Sequence, residues 1–521
     1  MWHLTSILSL SLTLSSVYAW NCSTAAIPYP DVPGAKICAL TARQYTAYNS
    51  IPGINICEVN VTLTHPGAND TVFNRIWLPM DTWNGRFQGT GGGGYLAGEG
   101  ISALLGAVAA NYSAATTDAG HSDSLLTDAA SNATSWALVS PSTVNQPLLL
   151  DFASRSIHDM TVLGKAISAS FYGYGPTKSY WNGCSTGGRQ GLSEAQKYPN
   201  DYDGILAEAP AVNWNPFTLA QQWPYVVLNN EPNVPETCDF TYVNAAAIAF
   251  CDPLDGLIDG LIGAPGLCLE KFDPKTLVGK KYICAATNES KTFTAGTANI
   301  VKKIWDGPVD TNGRSLWYGI LPGTNFSTLA ITNTTSPGHT VPLPFGISNS
   351  WVQNFLYKIP NYNTANVTYT EFVRLFNQSV EEYTSIIGTQ NPDLTAFQAR
   401  GGKMITWQGL SDNYIMPNGT MNYYDRVSQK SPDVADFYRV FFSPGVGHCG
   451  GGYGPYPTDA LGAVVKWVED GVAPDTLLAA SPYPVNGTER YQNLCPYPSV
   501  SKYVGYGNPF VADAYKCVAS F

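Results

Sequence analysis

Ser185 lies in YWNGCSTGGRQG, residues 180–191, and meets the pattern G-x-S-x-G between a strand-like and a helix-like segment. A serine on such a turn is a candidate nucleophile. The sharp bend lifts its hydroxyl clear of the sheet, and the following helix N-terminus favours developing negative charge. A serine hydroxyl needs a base, and the chain has six histidines. His3 lies in an N-terminal apolar run, His65 in a turn (HPG), His158 in a long helical pattern and His339 in the middle block. Two remain: His121 in TTDAGHSD and His448 in SPGVGHCGGG, a glycine loop after a late strand. In the order serine, acid, histidine, the base sits on a late loop, which His448 satisfies and His121 does not. Asp412, a few residues past the strand MITWQG, is the best-placed acid; Asp425, Asp433 and Asp436 are its rivals. An acid there would orient the imidazole and stabilise its charged form.

Cys184 precedes Ser185 and Cys449 follows His448. If serine and histidine meet, their neighbours are close enough for a disulfide. GTGGGGYLAG (89–98) matches G-x-G-x-x-G, but alone that is a weak dinucleotide signal, and no organic cofactor is expected. An oxyanion loop suits it better, with backbone N–H groups at Gly92 and Gly93 joining that of Thr186 around a tetrahedral oxyanion. CDPLDGLIDGLIG (251–263) crowds Asp252, Asp255 and Asp259 among glycines. Hard oxygen ligands on a short loop suit Ca²⁺, although the spacing is not that of an EF-hand; a solvated acidic turn is the alternative.

The elements that must position these residues read as an α/β protein. VNVTLT (59–64), FNRIWLP (73–79) and RFQGTGGGG (86–94) read as strands, and residues 147–171 as a long helix. Ser185 follows the aromatic strand KSYWNG and precedes a helix through LSEAQKYP; DGILAEAP (203–210) reads as a buried strand. Strands alternating with helices argue for α/β architecture. The rhythm stops near residue 212 and returns at GGKMITWQG (401–409), YRVFFSPGVG (438–447) and a helix at TDALGAVVKWVEDG. Residues 213–395 therefore read as an insertion into a core formed by 20–212 and 396–521.

Composition narrows the setting. At 521 residues and 44% hydrophobic, the chain can bury a sizeable core. A net charge of −11 argues against nucleic acid or an anionic membrane as partner. Residues 1–19 read as a secretory signal, with an apolar run ending at Val17-Tyr18-Ala19. A secreted protein with eleven cysteines is expected to form disulfides and to leave at least one thiol over. About a dozen N-x-[ST] sequons, among them Asn60, Asn111, Asn325 and Asn486, fit a glycosylated surface.

GCSTGG, Asp412 and the HC at His448 and Cys449 together resemble the CS-D-HC signature of the fungal tannase and feruloyl esterase family. GTGGGGYLAG, CDPLDGLIDG and GPYPTDALGAVVKWVEDG are also similar to family segments, and the likeness runs from about residue 22 to the C-terminus. The resemblance implies an α/β-hydrolase core with a lid domain. It implies Ser185, Asp412 and His448 as a triad and a Cys184–Cys449 bridge. It further implies structural calcium in the lid, on Asp252, Asp255 and Asp259 with the carbonyls of Leu257 and Leu261. Cys22–Cys57, Cys238–Cys284, Cys251–Cys268 and Cys495–Cys517 would pair, leaving Cys38 odd. The substrates would be phenolic acid esters, feruloyl esters of plant cell-wall polysaccharide ahead of galloyl esters of tannins. A non-catalytic secreted glycoprotein binding polyphenol or polysaccharide is the alternative from another class. Departures from the family pattern are Gln408, where many members have histidine, and Glu99, near the place of a cysteine in one branch.

Overall fold

The computed structural model of the protein describes residues 20–48, 51–121, 129–336, 339–484 and 488–521. The expected signal, residues 1–19, and the sequon at Asn486 lie outside the described residues.

A nine-stranded sheet forms the centre. Its strands are β1 Lys36–Tyr48, β2 Ile51–Thr64, β3 Val72–Pro79, β4 Arg86–Thr90, β5 Ser113–Thr117, β6 Lys178–Cys184, β7 Gly204–Glu208, β8 Lys403–Gly409 and β9 Tyr438–Ser443. They lie in the order β1-β2-β3-β5-β4-β6-β7-β8-β9. The first three pair antiparallel, β3 and β5 also run antiparallel, and from β5 onward every pairing is parallel. The parallel strands are covered on both faces, so they read as apolar runs rather than alternations. Ile405, Trp407 and Phe441 enter one buried cluster, while Met404, Tyr438 and Val440 enter another across the sheet.

Crossover helices cover these faces: α1 Ile101–Ala109, α2 Ser156–Tyr172 and α3 Thr186–Lys197. Gly173, with φ 83°, closes α2 in the left-handed conformation that glycine adopts without strain. Near the C-terminus a further helix, Ala460–Asp470, ends the same way at Gly471.

Between β7 and β8, which are hydrogen-bonded neighbours, the chain leaves the sheet and returns without contributing a strand to it. This excursion is mainly helical, with α4 Trp214–Asn230, α5 Thr237–Cys251 and α6 Tyr369–Ile387. Its apolar side chains, including Trp214, Trp351, Phe372 and Tyr383, form one core that continues into Tyr95 and Phe152 of the sheet's own connections. Trp351 donates its indole N–H to Ser379 Oγ at 2.9 Å, which satisfies a large buried aromatic. Two strands not expected from the sequence are β1 and β5. Lys36–Tyr48 carries a mostly exposed face and little apolar alternation, and SAATT is small and weakly patterned.

Four disulfides are formed: Cys22–Cys57, Cys184–Cys449, Cys251–Cys268 and Cys495–Cys517. The expected Cys238–Cys284 bridge is not. Both remain thiols, as does the exposed Cys38. Cys284 ends a short hairpin strand, and Cys238, in the first turn of α5, directs its thiol to Glu236 Oε2 at 3.9 Å rather than into a bridge. Burial and Cys284 together push the Cys238 thiol up to about 12.

Candidate active site

The parallel register aligns Cys184 with Glu208 across β6 and β7, and Gly409 with Ser443 across β8 and β9. The residues that follow these strand ends therefore emerge on one edge, outside the carboxyl ends of a parallel sheet, where α/β folds build their sites. Ser185, Asp412 and His448 all lie on these connections.

Ser185 is the turn between β6 and α3, with φ 63° and ψ −119°. This is a strained conformation for a residue with a side chain. The surroundings enforce it. Ser185 N–H donates to Glu208 O at 3.0 Å, and Ser185 O accepts from Arg189 and Ala211 N–H. A Cβ on Gly183 would lie 2.8 Å from the Gly187 backbone, and one on Gly188 2.4 Å from Glu208 O, so α3 reaches this close only with glycine there. One turn on, the wholly buried Arg189 donates to the carbonyls of Ala153 and Phe152 at 2.8 and 3.0 Å. Burial without a carboxylate partner pushes its guanidinium down to about 9. Among the described residues the Ser185 hydroxyl has no hydrogen-bond partner.

Asp412 is fully buried and accepts four hydrogen bonds. Oδ1 takes the N–H groups of Tyr414 and Ile415, both at 2.9 Å; Oδ2 takes His448 Nδ1 at 3.0 Å and Gln408 Nε2 at 2.9 Å. The imidazole thus has one nitrogen tied to a carboxylate and the other left to act. Tyr414 stacks on the His448 ring with centroids 4.8 Å apart. The Cys184–Cys449 bridge, with Cα atoms 5.9 Å apart, joins the residue before Ser185 to the residue after His448.

The other histidines have other surroundings. His121 is buried and stacks on Trp136 at 3.8 Å, and burial lowers it to about 4, a neutral core residue. His65 sits between Asp70 and Asp159, and His158 bonds Asp201. The rival acids lie elsewhere too: Asp425 accepts from Tyr497 and Asp433 from Gln398.

The glycine loop needs a correction. Gly92 N–H donates to Gln190 Oε1 at 3.0 Å, so it is not available to an oxyanion. Gln190 also donates to Ala97 O, pinning the loop to α3. The N–H groups of Gly93 and Thr186 have no hydrogen-bond acceptor among the described residues. Gln408 and Tyr414 were not legible as contributors; only the loop conformation brings them to Asp412 and His448. Gln408 touches Asp412, Ile415 O and Thr420 Oγ, so its effect is on the acid rather than on a substrate pocket.

In the aspartate loop, Asp252 accepts from Asp259 and Gly260 N–H, Asp255 from Leu257 and Gly263 N–H, and Asp259 from Leu261 N–H. Arg490 pairs with Asp259. Burial, with Asp259 and Asp252 adding repulsion, raises Asp255 to about 6. The carbonyls of Leu257 and Leu261 accept no hydrogen bond among the described residues. Carboxylate and carbonyl oxygens are the donor type a hard divalent cation takes, although the three carboxylates here accept backbone N–H groups and Arg490 rather than converging on one point.

Residues 57–518 match the family model described as tannase and feruloyl esterase. The chain belongs to that family. It is a carboxylic ester hydrolase of phenolic esters. It is 42% identical to a probable feruloyl esterase of Arthroderma benhamiae over 99% of this chain and 98% of that protein. It is 30% identical to a probable feruloyl esterase B-2 of Aspergillus terreus over 92% and 88%. Among solved structures, tannin acyl hydrolase from Aspergillus niger superposes with a TM-score of 0.85 at 28% identity, covering 95% of this chain and 93% of that one. Feruloyl esterase B from Aspergillus oryzae superposes with a TM-score of 0.80 at 27% identity, covering 95% and 99%. The esterase has the α/β serine-hydrolase architecture of these neighbours.

Proposed function

We propose that the protein is a secreted serine esterase that hydrolyses feruloyl and related hydroxycinnamoyl esters. The observation that carries the mechanism is the Asp412–His448 hydrogen bond standing beside a strained Ser185, with the two loops bridged by Cys184–Cys449. His448 takes the Ser185 proton as Oγ attacks the ester carbonyl carbon. A tetrahedral oxyanion forms facing Thr186 and Gly93 N–H. Its collapse breaks the carbon–oxygen bond to the alcohol, which leaves with the proton from His448. Water, activated by the same imidazole, then attacks the acyl-enzyme and releases the phenolic acid and Ser185. Asp412 holds the ring through its bond to Nδ1.

The curated relatives named as feruloyl esterases support the hydroxycinnamoyl acyl group. Galloyl ester hydrolysis is the second reading, favoured by the TM-score of 0.85 with tannin acyl hydrolase. Parallel kcat/KM on methyl ferulate, methyl caffeate and methyl gallate tests this. Methyl ferulate ahead supports the reading, and methyl gallate ahead replaces it with the second.

Secretion is supported by the four disulfides, which persist in oxidising compartments. No described helix is long and apolar enough to cross a membrane. The excursion between β7 and β8 is read as a lid, and Asp252, Asp255 and Asp259 with the carbonyls of Leu257 and Leu261 as a structural calcium site within it. Bound calcium would supply positive charge that relieves the repulsion among these carboxylates; it takes no part in the ester chemistry.

A further inference from the structure

The chain that leaves β8 carries Asp412, and the residues directly after this acid are held by the excursion rather than by the sheet. Asn413 Nδ2 donates to Thr328 Oγ1 at 2.5 Å. The carbonyl of Tyr414 accepts Nε2 of the buried Gln221, on α4, at 2.8 Å. The Tyr414 ring meets Phe345 edge-on, with centroids 5.3 Å apart. Ile415 and Met416 are buried in the apolar core that the excursion forms. Four consecutive residues after the acid are thus fixed by a part of the chain that adds no strand to the sheet.

Two of the four also touch the base. Asn413 Oδ1 accepts the backbone N–H of His448 at 3.4 Å, and Tyr414 stacks on the imidazole. The bond from His448 to Asn413 is long, so alone it orients little. The amide group is planar, however, with its donor and its acceptor on opposite arms. While Nδ2 is held on Thr328, Oδ1 is held toward His448 N–H. Thr328 is a firm support because its turn is anchored to α5. Phe326 stacks on Phe240 of that helix at 4.7 Å, and Gly323 N–H donates to Asn244 Oδ1 at 3.1 Å. Leu329, on the other side of Thr328, is buried in the same core.

We propose that Asn413 is a positioning residue for the base, and that through the Thr328–Asn413–His448 chain the excursion fixes where the imidazole stands. The proposal rests on the serine-esterase reading above and adds to it a route from the excursion to His448. In this role Asn413 acts on the base and not on the ester. Its contribution therefore belongs in the rate of the chemical step, with binding left alone.

The test measures kcat and KM of the full-length enzyme and its variants on whichever of methyl ferulate and methyl gallate the wild type turns over faster. Circular dichroism and Tm show that each variant is folded. Thr328→Val removes the hydroxyl at nearly constant shape and leaves Asn413, Asp412 and His448 in place. It is expected to lower kcat about threefold to tenfold, the range of one neutral hydrogen bond, with KM unchanged. Asn413→Ala is expected to lower kcat at least as much, again with KM unchanged. Thr328→Ser, which keeps the hydroxyl, is expected to restore kcat. In the double variant, Thr328→Val should add nothing to Asn413→Ala, because both changes break the same bond. Wild-type kcat in folded Thr328→Val overturns the proposal, even if its Tm falls. So do effects that add fully in the double variant, or a change in KM in place of kcat. No hydrolysis of either ester by the wild type would show separately that the serine-esterase reading fails, and the proposal with it.

Discussion

Cys184 and Cys449 are 265 residues apart in the chain and joined by a disulfide whose Cα atoms are 5.9 Å apart. One lies beside Ser185 and the other beside His448, so the covalent bridge sets the distance between the two loops. The histidine loop is folded by its own backbone bonds, Gly447 N–H to Gly451 O and Tyr453 N–H to Gly445 O, and the bridge ties this loop to the Ser185 turn. Replacing both cysteines by alanine is expected to leave a folded protein with kcat reduced about a hundredfold, because small displacements of a base are that costly. The chain-entropy model also assigns such a long loop roughly 5 kcal/mol of stability, an upper figure. Steady-state kinetics with circular dichroism checks this, and wild-type kcat in the folded double variant would refute it.

Gln408 donates to the same Asp412 oxygen, Oδ2, as His448, and it does so with an amide that does not titrate at these pH values. Gln408→Leu removes one of the four donors to a buried carboxylate and leaves Thr420 Oγ and Ile415 O unpaired. The expected result is a kcat roughly tenfold lower with little change in KM, together with a lower Tm, as for other lost bonds to buried charges. A larger change in KM than in kcat would instead place Gln408 in contact with substrate.

Stability is expected to be greater at pH 5 than at pH 8. Burial raises Asp151 from 3.8 to about 7 against the pull of Arg155, and burial with Asp201 raises Glu194 well above its ordinary value. Burial opposes the charged forms of His65 and His158, but Asp159 and Asp70 on the one and Asp201 on the other outweigh it and raise both above 6.5. In each case the folded chain binds a proton more tightly than the unfolded chain. The stabilisation is full below the unfolded values and is lost as pH rises through the folded ones. For Asp151 that window runs from about 4 to about 7; for the histidines it lies above 6.5. Asp70 and His121 have the opposite sign. The Asp70 window lies below 3.8. Burial of neutral His121, lowered to about 4, adds stability as pH rises from about 4 to 6.5, which offsets part of the loss from Asp151, Glu194, His65 and His158. Calorimetry at several pH values in chelator checks this, and a Tm that climbs from pH 5 to pH 8 contradicts it.

Calcium is expected to bind the loop from Asp252 to Leu261 and to stabilise the folded chain by mass action. Chelation should lower Tm, and activity should fall only as the lid loosens. Asp255→Asn should remove most of the calcium-dependent part of Tm. Metal analysis of the purified protein showing no bound calcium would end this reading.

The order of Ser185, Asp412 and His448 and the strands before them were legible because each follows a short apolar run with a turn signal. Parallel strands align those turns on one edge. The paired cysteines were legible for the same reason, since each adjoins a candidate residue. What was not legible depends on side chains meeting across the fold. Which glycine N–H is free is decided by Gln190, from a helix about a hundred residues later. Gln408 points along its own strand toward Asp412 only because the loop turns back at Tyr414 and Ile415. The strands Lys36–Tyr48 and Ser113–Thr117 lack a strong pattern of their own and are held by their neighbours' hydrogen bonds.

The central claim is that Ser185 becomes covalently acylated. The most direct measurement is rapid acid quenching of the enzyme during turnover of a feruloyl ester, followed by mass spectrometry of the peptide that contains Ser185. The account predicts a feruloyl adduct on that peptide, absent from folded Ser185→Ala, which should retain less than about a thousandth of wild-type kcat. A folded Ser185→Ala enzyme with near-normal turnover, or an acyl group found only on another residue, would contradict it.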